Sequence, residues 1–97
     1  MLLPLTNNDG KPIKPELFEQ TREELLERFG GLNTSPHPRS GYWVDQGQRY
    51  QDELLLWYVD VDDTPENHEF FTFYKTTLLE RFEQIEIYIV SYSIERI

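Results

Sequence analysis

Arg49-Tyr50-Gln51-Asp52-Glu53-Leu54-Leu55-Leu56-Trp57-Tyr58-Val59-Asp60-Val61 is the stretch on which the fold turns. Aliphatic and aromatic residues fill its middle, and the turn sequence Asp45-Gln46-Gly47-Gln48 precedes it, so it reads as the long return strand of a hairpin. Side chains alternate across a strand. Leu55, Trp57, Val59 and Val61 therefore point one way, while Leu54, Leu56 and Tyr58 point the other. Both faces are oily, which a sheet with water on one side does not ordinarily show.

Working upstream, Gly41-Tyr42-Trp43-Val44 has the character of the paired strand. Asn33 to Arg39 is polar, and its two prolines cannot donate to a ladder, so it is expected to be a loop or the ragged start of an edge strand. Gly30-Gly31 stops a helix that opens at Pro15 and runs to Phe29. Its core stripe is Phe18, Thr21, Leu25 and Phe29, with Arg22, Glu23, Glu24 and Glu27 on the wet side. Leu2 to Thr6 is a first strand, closed by the turn cluster Asn7-Asn8-Asp9-Gly10.

Downstream, Thr64 is placed to cap a second helix, with Pro65 at its first position and Glu66 following. Phe71, Tyr74, Leu78 and Phe82 trace its buried stripe; Phe70 and Phe73 lie off it and either widen the core contact, the favoured reading, or mark a protein-binding edge. Ile85 to Ile94 is expected to be the last strand, with Ile85, Ile87 and Ile89 on one face and Tyr88, Val90, Tyr92 and Ile94 on the other. The order β-α-β-β-α-β predicts an α+β fold of ferredoxin-like βαββαβ type. It would be a four-stranded antiparallel sheet with two helices on one face, forming a single domain over residues 1–97.

With 97 residues, 38% of them hydrophobic and 14% aromatic, the chain is expected to build its core from side-chain packing rather than from staples. It has no cysteine, which removes disulfides, thiolate metal sites and cysteine nucleophiles. A net charge of -9 argues against nucleic acid and anionic lipid as partners. Met1-Leu2-Leu3-Pro4-Leu5 lacks a basic leader, and no run approaches the ~18 apolar residues of a membrane helix, so a cytoplasmic location is expected.

The oily second face asks for a cover, because leaving several such side chains wet forgoes several kcal/mol at ~25 cal/mol per Å². A homodimer through the open sheet face supplies it symmetrically; the chain's own Gly31–Ser40 loop or its ends are the other candidates.

Gly41-Tyr42-Trp43-Val44-Asp45-Gln46-Gly47, the apolar strand after it, Tyr74-Lys75 leading through Arg81-Phe82, and Arg28-Phe29-Gly30-Gly31-Leu32 together resemble a small bacterial family of unknown function with a Gly-x-Trp hairpin. A more distant resemblance is to the dimeric α-β barrel proteins of ferredoxin-like fold. That group includes cofactor-free monooxygenases, isomerases and plain binding modules, so the likeness implies a fold and no single activity.

Trp43, Arg49, Glu53 and Tyr58 across the hairpin, with Tyr88 and Tyr92 on the last segment and His37 in the proline loop, are the candidate pocket or ligand-binding residues. Arg and Glu on strands anchor carboxylates or polarise carbonyls where they face a closed cavity, and elsewhere pair in solvent. His68 falls in the first turn of helix two, a usual place for a solvated histidine. Asp60, Asp62 and Asp63 lack the glycine turn and terminal glutamate of a calcium loop, and Gly30-Gly31 ends a helix instead of cradling phosphate, so neither a metal nor a cofactor is expected.

Two function classes remain. One is a homodimeric, non-enzymatic binding or structural module. The other is a small cofactor-independent enzyme, an isomerase or monooxygenase acting on a small apolar ligand in a pocket between sheet and helices.

Overall fold

The computed structural model describes all residues 1–97. Its elements are β1 (Leu2–Pro4), α1 (Pro15–Phe29), β2 (Asn33–Thr34), β3 (Arg39–Asp45), β4 (Gln48–Tyr58) and α2 (Pro65–Arg81). The fold is α+β, with two helices and a four-stranded, open, antiparallel sheet centred on β4.

β1 lies along one edge of β4, with Leu3 opposite Leu55, while β3 and the short β2 share the other edge, with Trp43 opposite Tyr50 and Thr34 opposite Trp57. Between β2 and β3 the segment Ser35–Pro38 leaves the ladder, as its prolines require. The hairpin turns through Gln46 and Gly47, both at positive φ (50° and 77°), the two-residue arrangement whose twist matches its strands.

The first helix has the expected bounds and the second the expected start. Thr64 Oγ1 accepts from Asn67 N at 3.2 Å at the start of α2, and Gly30 closes α1 with φ 77° while donating to Leu26 O at 2.8 Å. They pack on the sheet face that carries Leu3, Leu55 and Trp57. Leu25, Leu78 and Phe82 join these residues in the core, and Phe18 lies against both Trp57 and Phe82. The two phenylalanines off the stripe divide. Phe70 stacks on Tyr74 at 5.0 Å and packs against the core, whereas Phe73 is 74% exposed, so only the first widens the contact.

The final strand does not form. Residues 85–97 hold a single bridge, Leu2 to Tyr88, in place of the ladder predicted over Ile85–Ile94. The physical reason is that β1 offers only three residues to pair with. The N–H of Ile87, on the side away from β1, is taken by the Glu86 carboxylate at 2.9 Å. Glu86 in turn is tied to Lys75 of α2 at 2.7 Å, an ion pair that holds its carboxyl below the usual carboxylate range. Ile87 is nonetheless buried, so this segment completes the core without completing the sheet. The ferredoxin-like order is therefore not established by the ladder itself.

Candidate functional site

The open face of the sheet is set by register. Leu54, Leu56 and Tyr58 of β4 share it with Leu2 of β1, with Trp43 and Tyr50 of the hairpin, and with Tyr88 beyond Leu2. No helix covers it: Tyr58 is 51% exposed, Tyr88 61% and Val90 50%. Leu54 leans across Gly41, where any Cβ would meet its Cδ1 at 2.7 Å, so the glycine gives that leucine its place on the face. Towards the hairpin turn, Trp43 and Tyr50 stack at 4.5 Å between ring centres, and Trp43 Nε1 donates to Asp52 Oδ2 at 2.7 Å.

The candidate residues do not gather into one pocket. Trp43, Tyr58 and Tyr88 lie on the open face, Trp43 and Tyr58 towards opposite ends of the hairpin and its long strand. Arg49 and Glu53 lie on the other face, both on β4, so they are not a cross-strand pair; Glu53 accepts from Ser40 Oγ at 2.7 Å. Tyr92 is 79% exposed and belongs to no strand. His37 stands exposed in the bulge between β2 and β3, where its carbonyl accepts from Ser35 Oγ.

A pocket between sheet and helices lined by Trp43, Tyr58 and Tyr92 is not present, because core side chains such as Leu3, Trp57, Leu78 and Phe82 occupy that space. The concavities are on the surface. One of about 290 Å³ lies at the hairpin beside Tyr42, Trp43, Val44, Arg49 and Tyr50. Another of about 560 Å³ lies between the helices beside Arg28, Phe70 and Phe73, where the Arg28 guanidinium sits 4.1 Å over the Phe70 ring.

The second histidine is accounted for locally, with its Nε2 2.8 Å from Asp63 Oδ1 at the start of α2.

Sequence reasoning missed one constellation. Glu24, assigned to the wet side of α1, receives two bonds from Arg81 (2.7 and 2.8 Å) and one from the Tyr74 hydroxyl (2.7 Å), while Arg81 also donates to Thr21 Oγ1 at 2.8 Å. Arg81 hydrogen bonding holds the Glu24 carboxyl below its ordinary value, against the opposing effect of burial; burial and the Glu24 bond push the Tyr74 phenol above its own. Every polar group in the cluster has a partner, and the cluster ties α1 to α2. Its contacts between the helices join residues 50 to 60 positions apart, so nothing in local spacing announces it.

Comparison with family models, with curated proteins and with solved structures returns no match for this chain. No helix is long and apolar enough to cross a membrane.

Proposed function

We propose that this chain is a homodimeric, non-enzymatic binding or structural module on a ferredoxin-like βαββαβ frame, whose two copies bring their open sheet faces together. The uncovered apolar face carries this reading. Leu54, Leu56, Tyr58 and Tyr88 share this face, which the helices of the same copy do not cover; Tyr58 and Tyr88 stand exposed, Leu54 and Leu56 are half-buried, and Pro4 beside Leu54 is buried.

Charge supports the pairing. The chain carries -9 overall, yet the charged residues on this face are Arg39, Asp52, which already serves the Trp43 indole, and Asp45 at the turn. Most of the acid sits elsewhere, including Glu16, Glu19, Glu23, Glu27, Glu66 and Glu69 on the helices, so stacked sheets keep the like charges of two copies apart. Across the sheet there are three strand positions, since β2 and β3 share one edge of β4, so with the eleven residues of β4 the face spans up to about 36 by 14 Å, about 500 Å², below the ~800 Å² each partner buries in a standard interface. The bridge between Tyr88 and Leu2 supports the ferredoxin-like order, because it sets the last segment beside β1 with β4 beyond.

Light scattering coupled to size exclusion tests this. The expected mass is twice the 11.7 kDa of one chain at micromolar concentration. Leu56→Lys places a charge on the face in both copies of a symmetric pair, and is expected to weaken association by at least ~100-fold while the helical circular dichroism stays unchanged. A monodisperse wild-type monomer would overturn the proposal.

A further inference from the structure

Past Tyr88 the chain reads Ile89-Val90-Ser91-Tyr92-Ser93-Ile94-Glu95-Arg96-Ile97, and apolar residues alternate with serine from Val90 to Ile94. Ile89 packs against the core, but Val90, Tyr92, Ile94 and Ile97 all stand exposed. The segment makes no backbone hydrogen bond and no ion pair. One chain thus carries two bare apolar surfaces side by side, this segment and the open sheet face that Tyr88 joins at its rim.

We infer that residues 90–97 are a strap that swings over the open face of their own copy, so that the chain's end and a second copy compete for the same surface. The structure holds this strap open. The inference rests on the face proposed above as the dimer surface, and it sets when that face is free to pair.

The anchor and the reach fit. Tyr88 O accepts from Leu2 N at 3.0 Å, which fixes the start of the segment one strand position outside β1, and Leu2 lies opposite Leu56 of β4. From Tyr88 to β4 is two strand spacings, ~10 Å, and an extended chain advances ~3.3 Å per residue. A bend after Ile89 therefore carries Val90 over Leu2 and Tyr92, ~13 Å along, over Leu56 and Tyr58. Ile94, ~20 Å along, comes to the β3 edge. Side chains alternate along the strap, so Val90, Tyr92 and Ile94 turn together to the sheet while Ser91 and Ser93 keep to water.

Area and concentration favour the strap over a second copy. The face of about 500 Å² falls short of the ~800 Å² each partner buries in a standard interface, and association must also offset the lost freedom of a whole chain. A short tether spares that cost and presents the strap at roughly millimolar effective concentration, ~1,000-fold above a chain at micromolar concentration. Charge acts in the same direction. Two copies bring net charges of -9 together, whereas Glu95 and Arg96 cancel within the strap.

Deleting Val90–Ile97 tests this, because the deletion leaves every helix, every strand and Ile89 in place. The probe is the apolar dye ANS, added to chains dilute enough to run as monomers in light scattering, with helical circular dichroism as the check on folding. The shortened chain is expected to bind at least ~3-fold more dye than the full chain, although it has lost four exposed apolar side chains, and to self-associate at least ~10-fold more tightly. Tyr92→Ser with Ile94→Ser in the full-length chain is expected to shift both readouts in the same direction. Dye binding that stays level or falls on deletion overturns the strap, and so does weaker self-association, which would place the segment inside the dimer interface. A rise in dye binding by a shortened chain that stays monomeric at every concentration upholds the strap and overturns the dimer.

Discussion

Phe82→Ala is expected to lower the unfolding free energy by about 3–5 kcal/mol, read as a shift of the urea midpoint with little change in slope. The side chain is wholly buried, lies 5.2 Å from the Phe18 ring, and sits where both helices meet the sheet. No neighbour is free to collapse into the space it would leave, since Leu3, Leu25, Leu78 and Ile87 are held by strand, helix or ion-paired segment. A domain of this size has only about 5–15 kcal/mol in total, so the variant should be partly unfolded at 37 °C. Phe73→Ala, one helix position set but 74% exposed, should stay within about 0.5 kcal/mol, and so separates burial from residue type.

Glu24→Leu is the second large effect. It removes the carboxylate that accepts from Arg81 and Tyr74, and leaves the guanidinium, whose side chain is 9% exposed, without a counter-charge. Breaking a buried pair from one side costs about 3–5 kcal/mol; with Glu24 itself 39% exposed and partly hydrated, about 2–3 kcal/mol is expected. Arg81→Met should cost less, because the carboxylate it leaves behind can turn to water.

The pH dependence follows from the same groups. Glu24 has its carboxyl depressed in the folded protein, so its contribution is complete above the ordinary value of 4.5 and is lost as pH falls through the lower folded value. Tyr74 has its phenol raised, so its contribution is complete below 10.0 and is lost as pH climbs through the higher folded value. Urea midpoints taken across pH should therefore show an acid limb and an alkaline limb, both shallower in Glu24→Leu. Limbs of unchanged steepness in that variant would remove the cluster as their source.

Much of the architecture was written locally. Pro15 and Gly30 bracket α1, Thr64 and Pro65 open α2, and Gln46-Gly47 turns the hairpin, because caps and tight turns depend on the conformational reach of one or two residues. Leu55 and Trp57 against Leu54, Leu56 and Tyr58 followed from the two-residue period of a strand, which holds wherever the register does. The oily second face was legible for the same reason.

What failed did so where the outcome depends on distant partners. Ile85–Ile94 has every property of a strand, but a strand exists only against an edge, and β1 is three residues long. Chemical type alone points to Trp43, Arg49, Glu53, Tyr58, Tyr88, Tyr92 and His37 as pocket residues. Register then sent Arg49 and Glu53 to the opposite face from Trp43 and Tyr58, and the bulge carried His37 outward. Glu24 reads as solvated because Glu23 beside it and Glu27 and Arg28 one turn on are charged, while the arginine that claims it arrives from another helix. The sequence by itself determined the helices, the turns and the two-sided character of the central strand, since these are set by contacts a few residues apart. Tertiary structure alone decided which carboxylate is paired and that the final segment is left without an edge, since both depend on groups brought together across more than fifty residues.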